Sequence, residues 1–475
     1  MTSLTNRGYG ITKSSLTEDE LLELRTKLTV KPFNMMDMGG DKVDTTFPVY
    51  IESSKKIYIP KAYGLKHYGK PDENKLYDNL IDINVPFNGT LRDTQLGPVD
   101  SYMKAANDPK KQGGIINLVC ASGKTVLALY IISKLGKKAL VVVHKEFLLD
   151  QWKERIQQFL PTARVGFIKG PICDVENKDI VIGSLQSLSM KKYAPEVFKG
   201  IGLMIGDEVH HFSAEVFSRV FHKATTLYSL GLSATVNRKD GLTKVFKWHI
   251  GDIVHKGVQK KDNMKIIFKE YYDSNYEYSR EYMMFNKKPN MSRMINNICN
   301  FNPRSEFVIE CLIEVLEKEP NRKVLILSDR RNHLEYFKVL LDKIGIDSGL
   351  YYGGLKQEVL QENENKQVLL GTYSYVSEGF DKPGLNTMIL ASPKSDIIQS
   401  VGRILRDKKE DREYQSLVID IEDKFSIFPN QAKKRLKYYQ SQLYEIENDK
   451  ISTTKTLELI GKCFIVDDEN DKFDE

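Results

Sequence analysis

The chain has 475 residues, of which 41% are hydrophobic and 28% charged, with a formal net charge of +6. No run of about 18 apolar residues is present, which argues against a membrane span, and the opening MTSLTNRGYG lacks the apolar core of a secretory signal. The five cysteines (Cys120, Cys173, Cys299, Cys311, Cys463) are scattered without a CxxC pair, so they read as reduced thiols of an intracellular protein rather than as bridges or a zinc site.

Residues 1–88 read as a separate small α+β module. Thr17-Glu18-Asp19-Glu20 forms a capping box ahead of LLELRTKL, so a short helix is expected there. PVYIES and KIYIP alternate as two strands joined by Ser53-Ser54-Lys55. Tyr50, Lys56, Tyr58, Lys61, Tyr63, Lys66 and Tyr68 interleave aromatic and basic side chains. That pattern suits a nucleic-acid surface, and equally a tyrosine core with a solvated lysine rim.

Residues 89–255 alternate short apolar strands with amphipathic helices, the pattern of a doubly wound parallel sheet. Within them the apolar run Ile115 to Val119 leads into Cys120-Ala121-Ser122-Gly123, and Lys124-Thr125 opens the helix VLALYIISKL. A strand, a tight loop and a helix N-terminus in that order make an anion cradle. Lys124 is placed to reach β/γ-phosphates and the Thr125 hydroxyl to serve a Mg²⁺ site. Leu118 stands where the phosphate-loop consensus has its first glycine. Further on, LMIGDEVH runs from apolar residues into Asp207 and Glu208 at a strand's C-terminal end, where such sheets bind ligands. Asp207 there suits Mg²⁺, and Glu208 suits orienting or deprotonating an attacking water. Ser233-Ala234-Thr235 follows another buried strand.

A connector, 256–303, is rich in Lys, Tyr, Asn and Met without clean periodicity. A second α/β block, 304–425, has its own run of strands but no phosphate loop. In it Gln399, Arg403 and Arg406 are spaced four and three apart, on one helix face. Arginines so placed can neutralise charge on a γ-phosphate. Residues 426–475 read as a basic helical extension with an acidic tail. Six acids and one lysine fall in the last ten residues, so the preceding 465 carry a formal +11. Two α/β blocks with one phosphate loop suggest a site shared across a cleft.

Taken together, GKT, DEVH, SAT and QxxGRxxR resemble in their order the motif series of superfamily 2 helicases. The nearest likeness is the XPB/Ssl2 and UvsW branch and its relatives in large DNA viruses, including the poxvirus transcript-release helicase. The likeness spans about 88–425. It includes Leu91-Arg92-Asp93-Thr94-Gln95, which resembles the adenine-reading segment, and Val143-His144-Lys145 through Gln151-Trp152, which resembles motif Ia. Gly371-Thr372 and Glu378-Gly379-Phe380-Asp381-Lys382-Pro383 resemble motif V. The resemblance implies an α/β protein of two tandem RecA-like parallel-sheet domains that use ATP and Mg²⁺.

Position by position, it implies that Gln95 contacts adenine and that Ala121, Ser122, Gly123, Lys124 and Thr125 hold the phosphates and metal. Asp207 and Glu208 act on Mg²⁺ and water. Gln399, Arg403 and Arg406 close on the γ-phosphate, with Gly379 and Asp381 nearby. Lys145, Gln186 and Thr372 sit where relatives touch the nucleic-acid backbone. Arg238-Lys239-Asp240 stands where XPB proteins carry an Arg-Glu-Asp element tied to duplex opening, with its middle charge reversed. The implied function is an ATP-driven helicase or translocase, DNA favoured over RNA, acting with transcription or repair machinery and not at a membrane. The implied location is the nucleus or a cytoplasmic viral factory, or the virion. Two rivals remain: a duplex translocase that never separates strands, and an ATP-gated structural clamp on nucleic acid.

Overall fold

The computed structural model describes residues 1–32, 45–118, 122–213, 215–234, 240–257, 264–379, 384–402 and 413–449. The chain divides into two compact units, Met1–Lys260 and Lys261–Glu475.

The first unit is built on an eight-stranded sheet. Its order is Ile172–Cys173, Val165–Lys169, Ile180–Ser184, Ala139–Val143, Leu203–Asp207, Tyr228–Ser233, Gly113–Asn117, Ile253–Lys256. Every pairing is parallel except that of the edge strand Ile172–Cys173. The central strands are apolar runs because helices cover both faces. One face packs Leu127, Ile131, Trp152 and Ile156, and the other packs Leu188, Phe212, Phe221 and Phe246. The strand ahead of the phosphate loop is Gly113–Asn117, earlier than the apolar run Ile115 to Val119 suggested.

The N-terminal strands form a five-stranded sheet whose order is Ile51–Glu52, Lys56–Ile59, Gly8–Thr12, Thr2–Thr5, Glu73–Asn74. The hairpin across Ser53-Ser54-Lys55 is present. So is the capping box: the Glu20 N–H donates to Thr17 Oγ1 at 3.2 Å, and the Thr17 N–H to Glu20 at 2.8 Å. Lys61 is not part of any exposed basic surface. It opens the helix Lys61–Tyr68 and is 2% exposed. Its Nζ donates to Gln112 O, Thr226 O, Leu227 O and Ser229 Oγ at 2.7–3.1 Å, at the start of two central strands.

The second unit is a seven-stranded sheet in the order Ser348–Tyr351, Val368–Thr372, Val324–Ser328, Thr387–Leu390, Ser416–Asp423, Met264–Tyr271, Glu445–Asp449, all pairings parallel. Three of these strands were not legible in the sequence, the edge strand Ser348–Tyr351 among them. Met264–Tyr271 lies inside the stretch that reads as a connector and pairs along its whole length with Ser416–Asp423. Glu445–Asp449 follows the extension helix Phe428–Ser441 and adds an edge. Two buried ion pairs pin the unit. Arg304 meets Asp423 at 2.9 Å with both side chains fully buried, and Arg435 meets Asp420 at 2.6 Å. Among the described residues no helix is long and apolar enough to cross a membrane.

Candidate nucleotide site

Three neighbouring strands of the first sheet, Leu203–Asp207, Tyr228–Ser233 and Gly113–Asn117, end together. Asp207 is in register with Leu232, and Ser233 with Asn117. Because all three run parallel, their C-terminal ends deliver GKT, DE and SA to one edge of the sheet. The Leu118 N–H donates to Ser233 O at 3.1 Å, holding the exit of the phosphate-loop strand against its neighbour.

Gly123 caps the helix Lys124–Leu135 in the left-handed conformation, at φ +73°. A Cβ there would lie 2.5 Å from Gln95 Nε2, so any side chain would have to push that amide aside, on a backbone that already favours glycine. The closeness is used. Gln95 is 2% exposed, and its Nε2 donates to Ser122 O and Gly123 O, both at 3.2 Å. Its Oε1 accepts from the Arg92 N–H at 2.9 Å, closing the start of the helix Asp93–Asn107. Ser122 and Thr125 are half-buried beside it.

Lys124 Nζ donates to Glu208 Oε1 at 3.1 Å and reaches Leu118 O at 3.5 Å. Glu208 Oε2 accepts from Ser233 Oγ at 3.2 Å and from the Ala234 N–H at 3.3 Å, and lies 3.4 Å from His210 Nδ1. The residue sits at φ +48°, a left-handed corner that is uncommon outside glycine and clusters at functional sites. Burial pushes the Glu208 carboxyl upward, but the Lys124 ammonium and His210 outweigh it and hold the group well below the usual carboxylate range. Asp207 goes the other way: burial first, then the adjacent Glu208 charge, raise it. Two adjacent carboxylates are thus driven apart in acidity, a mark of a site built for chemistry.

The sequence does not reveal what holds Asp207. The Trp152 indole Nε1–H donates to Asp207 Oδ2 at 2.9 Å from the helix Glu146–Phe159. A buried tryptophan must find an acceptor for its N–H, and that need is the only signal the sequence carries. His144 stacks on His211 at 4.0 Å between ring centroids, and His211 lies 4.2 Å from His210.

Lys145 caps the helix Glu146–Phe159, Gln186 is exposed on the helix Leu185–Met190, and Thr372 ends the strand Val368–Thr372 of the second unit. Ala121, Arg238, Asp381, Arg403 and Arg406 lie outside the described residues. Gly379 ends the helix Tyr373–Gly379, and Gln399 falls in the helix Ile398–Val401 at a position whose side chain is outside the description. The candidate residues the structure describes together are those of the first unit: Gln95, Ser122, Gly123, Lys124, Thr125, Asp207 and Glu208.

The family profile "Type III restriction enzyme, res subunit" matches residues 88–238, and "Helicase conserved C-terminal domain" matches residues 308–408. The chain is 36% identical over 461 residues to a protein of Acanthamoeba polyphaga mimivirus named "Putative ATP-dependent RNA helicase L396", covering 95% of this chain and 87% of that one. It is 26% identical to "Putative helicase 161L" of Invertebrate iridescent virus 6, over 78% of this chain and 85% of that one. It is 28% identical to "DNA 3'-5' translocase XPB2" of Sulfurisphaera tokodaii, over 77% and 90%. With two parallel-sheet units of the RecA-like kind, two matching helicase profiles and a full-length helicase relative, the chain belongs to the superfamily 2 helicases, enzymes that hydrolyse ATP.

Proposed function

We propose that this helicase is a DNA-directed motor that couples ATP hydrolysis to movement along, or opening of, a DNA strand in viral transcription or repair. The observation that carries the reading is the meeting of Lys124, Asp207 and Glu208 at the shared end of three parallel strands, with Lys124 and Glu208 in direct contact. The support for DNA is the XPB-like motif series and the relative named as a DNA translocase.

In this reading the phosphates lie on the N-terminus of the helix Lys124–Leu135, where Gly123 leaves room for the backbone and the helix dipole favours negative charge. Lys124 turns from Glu208 to the phosphates; without that ammonium the Glu208 carboxylate gains proton affinity and is free to hold the attacking water and take its proton. A hard oxygen-seeking cation needs carboxylate and hydroxyl donors and leaves most of its shell to water and phosphate. Asp207 and Thr125 are donors of that kind and would hold Mg²⁺, which when bound neutralises charge on the phosphates. Gln95, already tied to the loop carbonyls, would report adenine to the phosphate loop. Arg403 and Arg406 would supply positive charge to the γ-phosphate and Gln399 a hydrogen bond, and Gly379 and Asp381 would lie beside them. Lys145, Gln186, Arg238 and Thr372 would contact the nucleic-acid backbone. Such sequence-independent grip predicts binding that falls steeply with salt.

The test compares ATPase stimulation by single-stranded DNA, duplex DNA and RNA, for the wild type and for Glu208→Gln. DNA is expected to stimulate the wild type more than RNA, and Glu208→Gln to bind ATP while its hydrolysis falls by about two orders of magnitude or more. Stimulation by RNA alone would overturn the DNA assignment. A second reading, a duplex translocase without strand separation, is favoured by Lys239 standing where XPB proteins carry an acid. Strand displacement measured beside triplex displacement separates the two.

A further inference from the structure

After the strand Met264–Tyr271 the second unit carries a small projection. Tyr278 anchors its base: the ring is fully buried, and its hydroxyl donates to Asp423 Oδ1 at 2.8 Å. Tyr282 packs against the same core. The chain then makes a tight hairpin with Met283 paired to Pro289. The Met284 N–H donates to Lys288 O at 2.7 Å, and the Lys287 N–H to Met284 O at 2.9 Å. The Asn290 N–H closes the base on Tyr282 O at 2.6 Å, and the Lys288 N–H donates to Asn286 Oδ1 at 3.1 Å. Lys287 takes the left-handed conformation that the turn requires, at φ +58°.

At the tip stands Phe285. Its relative exposure is 110%, the highest of any large apolar side chain among the described residues, with Met283 at 59% and Met291 at 45% below it. A ring on a turn held by this many hydrogen bonds does not fold back onto the protein. It is presented. The surroundings are cationic. Arg280 lies over the rings of Tyr282, at 4.7 Å, and Tyr276, at 5.3 Å, and Arg293 lies 5.9 Å from Tyr282. Lys287 and Lys288 are exposed beside the tip. From Arg280 to Arg293 there are four cations and one carboxylate, Glu281. A protein pocket for a lone phenylalanine gives no reason for that excess, whereas a ligand with a flat apolar face and anionic flanks answers both features. An unpaired nucleotide is such a ligand.

We propose that the Met283–Pro289 hairpin is a base-stacking tip: Phe285 stacks on an unpaired base, and Arg280, Lys287, Lys288 and Arg293 hold the phosphates on either side. The proposal rests on the nucleic-acid motor proposed above and gives it a contact that distinguishes single strands from closed duplex. Phe285 is remote from the nucleotide site in sequence and wholly solvated, so changing it leaves folding and ATPase without nucleic acid intact.

The test uses the full chain and a single-stranded oligonucleotide carrying 2-aminopurine, read by fluorescence and by affinity. The wild type is expected to change the probe's fluorescence on binding. Phe285→Ala is expected to abolish that change and to weaken affinity by about 5- to 100-fold, the worth of one base–aromatic stack. Phe285→Trp is expected to keep both. If the wild type binds and Phe285→Ala matches it in signal and affinity, the hairpin proposal falls while the motor reading stands. If the wild type binds no oligonucleotide, both fall. If Phe285→Ala instead shifts the sedimentation of the free protein from a larger species to a monomer, the tip is a contact between copies of the chain and the base-stacking proposal is overturned.

Discussion

Trp152 and Asp207, 55 residues apart in the chain, are joined by a 2.9 Å hydrogen bond from the indole N–H to the carboxylate. The indole is buried, so the bond fixes one oxygen of Asp207. Trp152→Phe keeps the ring's packing and removes only the donor. A hydrogen bond to a charged group is worth about 1.5–3 kcal/mol. The expected outcome is a folded protein whose ATPase needs about tenfold more Mg²⁺ for half-maximal rate, read by Mg²⁺ titration. An unchanged Mg²⁺ requirement would show that Asp207 is positioned without the indole.

Gly123→Ala meets two obstacles at once. The left-handed backbone costs an L-residue about 1–2 kcal/mol, and the new methyl would lie 2.5 Å from Gln95 Nε2. The variant is expected to lose thermal stabilisation by a non-hydrolysable ATP analogue. Shortening Gln95 in the same background, as Gly123→Ala with Gln95→Ala, relieves the clash but not the backbone, so stability recovers in part and nucleotide binding does not. Full recovery of binding would mean that the loop tolerates the methyl.

The ion pair between Arg304 and Asp423 is fully buried, with bonds at 2.9 and 3.2 Å. Removing one partner strands the other charge. Arg304→Met is therefore expected to cost about 3–5 kcal/mol, and Arg304→Met combined with Asp423→Leu to cost less than that single change. Urea unfolding of the full chain measures both, and a double variant less stable than Arg304→Met would contradict this account.

His333 supplies a pH dependence. Its two nitrogens lie 3.1 Å from Ser305 Oγ and 2.9 Å from Ser328 Oγ inside the second unit. Burial, helped by the Arg304 charge, pulls its pKa from 6.5 down to about 3. Between these values the unfolded chain binds the proton and the folded chain does not. Stability is therefore lost as pH falls below about 6.5, by up to about 1.4 kcal/mol per pH unit, and the loss saturates near pH 3. His333→Asn is expected to flatten that slope between pH 6.5 and 5 in urea melts. An unchanged slope would assign the acid sensitivity to other groups.

The meeting of Lys124, Asp207 and Glu208 was legible in the sequence where apolar strands end in polar residues. Asp207 and Lys124 each follow a run that can only be a covered strand, and parallel pairing then leaves little choice about where the ends meet. What escaped depended on partners far along the chain. Met264–Tyr271 carries Lys265, Lys269 and Glu270 among its apolar residues, which hid a fully paired strand inside an apparent connector. Lys61 read as a surface cation because its four acceptors come from residues 112–229. The acceptor for Trp152 could not be named from either segment alone, and Phe285 looks unremarkable until the turn beneath it is seen.

Lys61 has a practical consequence. A shortened protein beginning at the phosphate-loop strand would remove the amine that gathers three main-chain carbonyls at the entry to the central strands, together with the wall of side chains that keeps water from them. The first eighty or so residues should therefore behave as masonry of the first unit, not as an attachment that can be trimmed away.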